Sequence, residues 1–130
     1  MIGVLLVALG GAFGACARFW LSGVIARRVG DGFPWGTLVV NVSGAAMIGL
    51  LAAGVLRAEG VAEGWRETWL LLVVGALGSY TTVSSFSLQT LALWRAGDSA
   101  RAAGNVLGSL GLCLAAALAG HRAGLLLFGA

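Results

Sequence analysis

The chain has 130 residues, 59% of them hydrophobic and only 10% charged, and its mean hydropathy is +0.97. A soluble domain carries about 25% charged residues, so this composition excludes a water-soluble protein and indicates an integral membrane protein. The net charge of +3 comes from eight arginines scattered along the chain, which is too little positive charge in one place for a nucleic-acid-binding surface.

Four segments have the length of a transmembrane helix, which needs about 20 predominantly apolar residues. Short connections join them, so we predict an all-α membrane protein with a single domain over residues 1–130, in contact with lipid along its helices. The predicted helices are 2–26, 35–56, 68–94 and 102–122.

The first predicted helix contains one charged residue, Arg18, and has Gly10 and Gly14 four positions apart. Small residues at this spacing let two helix backbones approach closely in lipid. A signal peptide is the alternative, because the sequence at 15–17 resembles a cleavage site. Signal peptides have a positively charged N-terminal region, and no basic residue precedes Arg18, so we prefer the transmembrane helix.

The second predicted helix carries Thr37, Asn41 and Ser43 within an apolar sequence. A neutral polar side chain inside a membrane often bonds to a neighbouring helix, which contributes about 0.6–2 kcal/mol. Taken with the polar groups of the third and fourth helices, Asn41 favours a polar pathway through the membrane over isolated bonds between helices.

The third predicted helix contains GALGSYTTVSSFSLQ (75–89), in which seven of nine successive residues carry a hydroxyl group. Gly75 and Gly78 are followed by serine and β-branched threonine, which are poor helix formers, so we predict a break near the middle of this helix. A break frees backbone carbonyls, which inside a membrane must be buried in protein or satisfied by water or an ion. Beyond the break, one helical face carries Thr82, Ser85, Phe86 and Gln89.

The fourth predicted helix has Asn105, Ser109 and Cys113 four residues apart, so these side chains share one helical face. Coupled transporters use intramembrane Asp, Glu or His residues. All five carboxylates of this chain fall in the predicted connections, so we predict no coupled transport; they are Asp31, Glu59, Glu63, Glu67 and Asp98.

His121, at the end of the fourth predicted helix, has no nucleophile or acid near it, so we predict that the protein is not an enzyme. A path lined by hydroxyl donors and free of carboxylates suits an anion.

The arginines are divided almost evenly between the two membrane faces. Four lie at the 26–35 and 94–102 connections, and three lie at the 57–67 connection and the C-terminal end. Orientation follows an excess of Lys and Arg on the cytoplasmic side, and four against three is almost no excess. We therefore predict insertion in both orientations and an antiparallel two-fold dimer; the alternative is one orientation, set by Arg27 and Arg28.

One stretch in each predicted helix carries a recognisable motif: GGAFGACARF (10–19), GTLVVNVSGAAMIG (36–49), GALGSYTTVSSF (75–86) and NVLGSLGLCLAAALAG (105–120). In this order and spacing they resemble the Fluc/CrcB family of small fluoride channels over essentially the whole chain. The resemblance implies a dual-topology homodimer in the plasma membrane. Its two antiparallel pores would export fluoride passively and selectively, which relieves fluoride toxicity.

The resemblance also implies roles for individual residues. Arg18 would lie at an aqueous vestibule, although its side chain alternatively reaches towards the lipid headgroups. The backbone carbonyls of Gly78 and Thr81 would bind a structural sodium ion at the dimer centre. The fluoride pathway would comprise the pore asparagine, hydroxyl donors and one aromatic ring: Asn41, Thr82, Ser84, Ser85, Phe86 and Ser109.

Two positions depart from the family pattern. Val83 stands where the first phenylalanine of the third-helix motif is expected, and Asn105 stands where the fourth helix usually has a tyrosine. The loss of one ring from each pore leaves two alternatives open: one half of a heterodimeric channel made with a similar chain, or a homodimer that conducts through its remaining donors. Two rival interpretations are independent of Val83: a non-conducting membrane assembly subunit whose polar groups only join helices, and a carrier for another small anion or neutral solute.

Overall fold

The computed structural model describes residues 1–57 and 65–128 and contains four helical spans long and apolar enough to cross a membrane. Three spans are single helices, α1 (Ile2–Val29), α2 (Trp35–Arg57) and α6 (Ser99–Phe128). The third span is composite. It consists of α3 (Arg66–Trp69), a π-helical segment (Leu70–Leu77), α4 (Gly78–Tyr80) and α5 (Val83–Arg95).

These spans confirm the prediction of an all-helical, multi-pass membrane protein. The helices extend beyond the predicted bounds, α1 through polar residues that follow its apolar segment and α6 at its C-terminal end through the apolar sequence AGLLLF (123–128). At the start of α6, Asp98 accepts a hydrogen bond from the Arg101 backbone N–H at 3.1 Å, so the helix begins before the apolar sequence does. Glu59 and Glu63, which were predicted to lie in a connection, fall outside the described residues.

The spans pack as two close pairs, α1 with the π-helical segment and α2 with α6. Glycines make both contacts possible. A Cβ at Gly14 would overlap the backbone carbonyl of Ala76, and a Cβ at Gly120 would overlap that of Ala46. Backbones this close leave no room for a side chain, which explains the glycines. The spacing of Gly10 and Gly14 therefore correctly predicted close helix packing for the first span.

The predicted break in the third span is confirmed and lies at Thr81 and Thr82. Both residues are extended, with φ/ψ of −76°/157° and −151°/125°. The helix restarts at Val83, where the Thr82 hydroxyl accepts a hydrogen bond from the Ser85 backbone N–H at 3.2 Å and so caps α5. The π-helical segment before the break was not predicted by any pattern in the sequence.

Polar side chains are buried in this chain while many large apolar ones face outwards. Val40 is fully buried, but Asn105 is only 2% exposed and Phe13 is 77% exposed. This distribution is the reverse of that in a soluble protein and fits a chain surrounded by lipid or by other membrane helices. The other buried polar side chains are Thr37, Thr82 and Ser109.

Candidate functional site

The backbone break is held by the side chain of Asn41 on α2. Its Nδ2 donates to the Thr82 carbonyl at 2.8 Å, and its Oδ1 accepts from the Thr82 N–H at 2.7 Å. One amide therefore satisfies both backbone groups of a residue that has left the helix. Such groups cost several kcal/mol each when they are left unpaired in a membrane, so Asn41 stabilises the break.

The same hydrogen bonds release two backbone carbonyls. In a continuous helix the Thr82 N–H would bond to the Gly78 carbonyl, and the Ser85 N–H would bond to the Thr81 carbonyl. Here the first N–H donates to Asn41 and the second donates to the Thr82 hydroxyl. Gly78 lies exposed on the surface of the chain. Its carbonyl and that of Thr81 are therefore oxygen acceptors without their helical donors, which suits a hard cation such as sodium.

A second contact from α2 stabilises the break on its other side. Ser43 donates to the Val40 carbonyl at 3.1 Å, which leaves its oxygen to accept from the Tyr80 hydroxyl at 2.9 Å. Asn41 and Ser43 thus fix residues 80 and 82 from the same helix. The pairing of Ser43 with Tyr80 was missed in the sequence because 37 residues separate them.

A cavity of about 830 Å³ opens beside the break, between α1, the connection that follows it, the start of α2, and α5. The structure places four of the predicted site residues in its wall: Arg18, Thr82, Ser84 and Ser85. Gln89 also lines the cavity, and its Oε1 is buried without a hydrogen-bond partner. The wall therefore combines one positive charge, one negative charge from Asp31, five hydroxyl residues and one unpaired amide. The hydroxyl residues are Ser22, Thr37, Thr82, Ser84 and Ser85.

The hydroxyls of Thr82, Ser84 and Ser85 form a connected group. The oxygen of Thr82 lies 3.1 Å from that of Ser84 and 3.2 Å from that of Ser85. A hydroxyl proton rotates to suit its partner, so these groups can turn from one another to donate to an anion in the cavity. Of the four residues predicted to share one face beyond the break, Thr82, Ser85 and Gln89 line this cavity, whereas Phe86 does not.

The other predicted pathway residues do not line this cavity. Asn41 reaches it only through Thr82, whereas Phe86 and Ser109 belong to a separate polar connection between α5 and α6. In that connection Ser109 donates to Asn105 at 3.4 Å, Asn105 donates to Thr90 at 2.8 Å, and Thr90 donates to the Phe86 carbonyl at 2.7 Å. Cys113 has no hydrogen bond in this group.

Thr90 is a member of this connection that the sequence analysis missed. Its spacing of four residues from Phe86 is the signal that could have found it, because a threonine hydroxyl in a helix bonds to the carbonyl one turn earlier. The Asn105 amide then bonds to Thr90 across 15 residues. Asn105, which departs from the family pattern, therefore joins two helices in this chain.

Val83 points away from the chain. Its side chain is 76% exposed, and the neighbouring Ser84 is also exposed. The position that differs from the family's aromatic residue is therefore on a surface that meets lipid or another chain.

Comparisons with known proteins agree with the motifs. The family described as CrcB-like protein, Camphor Resistance (CrcB) matches residues 5–121. A fluoride-specific ion channel FluC 2 of Rhodopseudomonas palustris (strain BisB18) is 56% identical over 121 residues, which are 93% of this chain and 92% of that protein. A fluoride-specific ion channel FluC of Opitutus terrae is 52% identical over 119 residues, or 92% of this chain and 89% of that protein.

A third relative, the fluoride-specific ion channel FluC 2 of Bradyrhizobium diazoefficiens, is 50% identical over 118 residues, which are 91% of this chain and 85% of that protein. All three relatives are named as ion channels, which are not enzymes. This agrees with the prediction from the sequence that the chain is not an enzyme. The chain belongs to the CrcB family.

Proposed function

We propose that this chain forms a fluoride-selective channel that lets fluoride leave the cell passively across the plasma membrane and so relieves fluoride toxicity. The observation that carries the proposal is the connected group of Thr82, Ser84 and Ser85 hydroxyls beside Arg18 in the cavity at the break. The names of the relatives support fluoride as the anion.

Selectivity follows from the donors that the break supplies. Fluoride is small and strongly hydrated, so a pore must replace several strong hydrogen bonds at once. Hydroxyl groups supply short bonds to a charged acceptor, which contribute about 1.5–3 kcal/mol each. A larger halide makes longer and weaker bonds to the same donors and is excluded.

Asn41 contributes to the pathway through the second N–H of its side-chain amide, which does not bond to Thr82. An asparagine amide has two N–H donors, and one of them donates to the Thr82 carbonyl. The other is used by no hydrogen bond among the described residues. Asn41 thus keeps one N–H for an anion while it stabilises the break, and it acts on the cavity itself through Thr82.

Phe86 and Ser109 would continue the pathway between α5 and α6. An aromatic ring presents a positive edge to an anion, and Phe86 follows Ser85 directly on α5. Ser109 is 8% exposed and is bonded to Asn105, so an anion would have to compete with that bond.

The functional unit in this proposal is an antiparallel homodimer. The small difference in arginine number between the two membrane faces supports insertion in both orientations. The exposed Gly78 at the break supports a two-fold axis there, because two copies would bring four freed carbonyls together. Gly78 and Thr81 of both copies would then hold a structural sodium ion, whose positive charge links the two chains.

Fluoride efflux from liposomes that contain only this purified chain tests the proposal. We expect rapid, voltage-driven loss of fluoride measured with a fluoride electrode, and no loss of chloride in matched vesicles. Saturable exchange or equal chloride loss would contradict a selective channel. Efflux only after addition of a similar four-helix chain would replace the homodimer with a heterodimer, which the exposed Val83 would then explain.

A further inference from the structure

The wall of the cavity carries two charges of opposite sign. Arg18 lies on α1, and Asp31 lies in the connection after it. Among residues 1–57 and 65–128 the ion pair is Arg101 with Asp98, at 3.4 Å, and neither wall charge takes part in it. Seen from outside the cavity, one positive and one negative charge largely cancel, so these two groups alone attract an approaching anion only weakly.

A third charge lies close to one residue of the cavity wall. Arg27, in the last turn of α1, folds back along the helix until its Nη1 is 3.2 Å from the position that a Cβ of Gly23 would occupy. Gly23 itself lines the cavity. Because Gly23 has no side chain, the guanidinium of Arg27 can lie next to this wall residue, although Arg27 is not itself part of the wall.

The next residue, Arg28, provides an internal comparison. It is also exposed and carries the same charge, but it is turned about 100° further round the helix. Arg27 is four residues from Gly23 and therefore lies above it on one face of α1. The two neighbouring arginines differ in their placement relative to the cavity and not in chemistry.

We propose that Arg27 gives the mouth of the cavity a net positive charge and thereby raises the rate at which an inorganic anion enters it. This inference rests on the proposed channel function and adds a residue that controls access. Arg27 offsets Asp31, which leaves the charge of Arg18 effective at a distance. A unit charge about 10 Å from the entering ion changes its local concentration about twofold in water.

Initial rates of fluoride efflux from neutral phosphatidylcholine vesicles test the assignment. Neutral lipid removes the surface potential of the membrane itself. At about 0.01 M ionic strength, where charges act over about 30 Å, we expect Arg27→Gln to lower the rate about twofold and Asp31→Asn to raise it by a similar factor. At about 1 M potassium gluconate, where the range is about 3 Å, both variants should equal the wild type.

Arg28→Gln is the matched control and should equal the wild type at both ionic strengths. The assignment is overturned if Arg27→Gln equals the wild type at low ionic strength, if its loss is the same at high ionic strength, or if Arg28→Gln loses as much. Fluoride efflux from the wild-type chain separates the two claims. If the wild-type chain releases fluoride, a negative result for Arg27→Gln overturns only the role of Arg27. If the wild-type chain releases no fluoride, the channel proposal is overturned as well.

Discussion

The two halves of the third span have opposite characters. Before the break, Leu70–Leu77 carries no polar side chain and packs on α1 so closely that the glycines of α1 touch its backbone. After the break, residues 82–89 carry four hydroxyls and an amide, and most of these polar groups line a cavity. A single membrane crossing thus contains a packed half and a polar half.

The difference shows how a transmembrane span can carry polar groups and still be stable in the membrane. A break exposes backbone groups that the membrane cannot satisfy, so polar side chains concentrate beside it. Asn41 and Ser43 supply the partners from α2, while the packed half fixes the position of the break against α1. Changes in the packed half should therefore affect folding, and changes in the polar half should affect flux.

The largest expected effect is on folding, at Gly14. A leucine there would overlap the Ala76 backbone, and overpacking of this kind costs about 3 kcal/mol or more because the backbone must move. We expect Gly14→Leu to yield no folded protein by size-exclusion chromatography and circular dichroism. Gly111→Leu is the control, since a Cβ at Gly111 meets nothing within 4 Å. An equal loss of folded protein in both variants would contradict the close packing of Leu70–Leu77 against α1.

The next effect is on flux, at Asn41. Asn41→Asp replaces the N–H₂ that donates to the Thr82 carbonyl with an acceptor-only carboxylate, which repels both that carbonyl and an entering anion. Asn41 is half-buried, and a charge inside the membrane costs about 2.5–3.5 kcal/mol, so we expect fluoride efflux to fall about 100-fold or more. Unchanged efflux from a folded variant would remove Asn41 from the pathway.

The smallest effect compares the two positions of the third-helix motif that carry an aromatic residue in the family. An aromatic edge against another ring contributes about 0.5–1.5 kcal/mol. With a contribution to an anion at the lower end of that range, Phe86→Ile should lower fluoride efflux about threefold. Val83→Ile should leave it unchanged, because Val83 is an exposed aliphatic residue. Equal, small changes in both variants would mean that this chain does not use its remaining ring.

The sequence predicted the features that depend on local composition. Apolar length predicted the four spans, and glycine, serine and threonine predicted the break. The four-residue spacing of Gly10 and Gly14 predicted a close helix contact. Each of these follows from neighbouring residues, whose preferences act before any tertiary contact forms.

Features that depend on distant residues could not be predicted. The amide of Asn41 pairs with Thr82 across 41 residues, and this pairing determines which carbonyls are released. The bond between Asn105 and Thr90 and the position of Arg27 against Gly23 also need the folded helices. Motif resemblance predicted roles for Arg18 and three hydroxyl residues, which line one cavity in the structure, but it could not show that Ser109 is bonded to Asn105.

The central claim is that the polar half of the third span conducts fluoride, and the Ser84→Ala/Ser85→Ala double variant tests it most directly. Both hydroxyls line the cavity, whereas Ser87, three residues after Ser84, is exposed outside it. Loss of two hydrogen bonds to an anion, at about 1.5 kcal/mol or more each, should lower fluoride efflux about 100-fold or more.

The thermal midpoint of the double variant should stay close to that of the wild type, and Ser87→Ala should keep wild-type efflux. Wild-type efflux from the folded double variant would contradict the account.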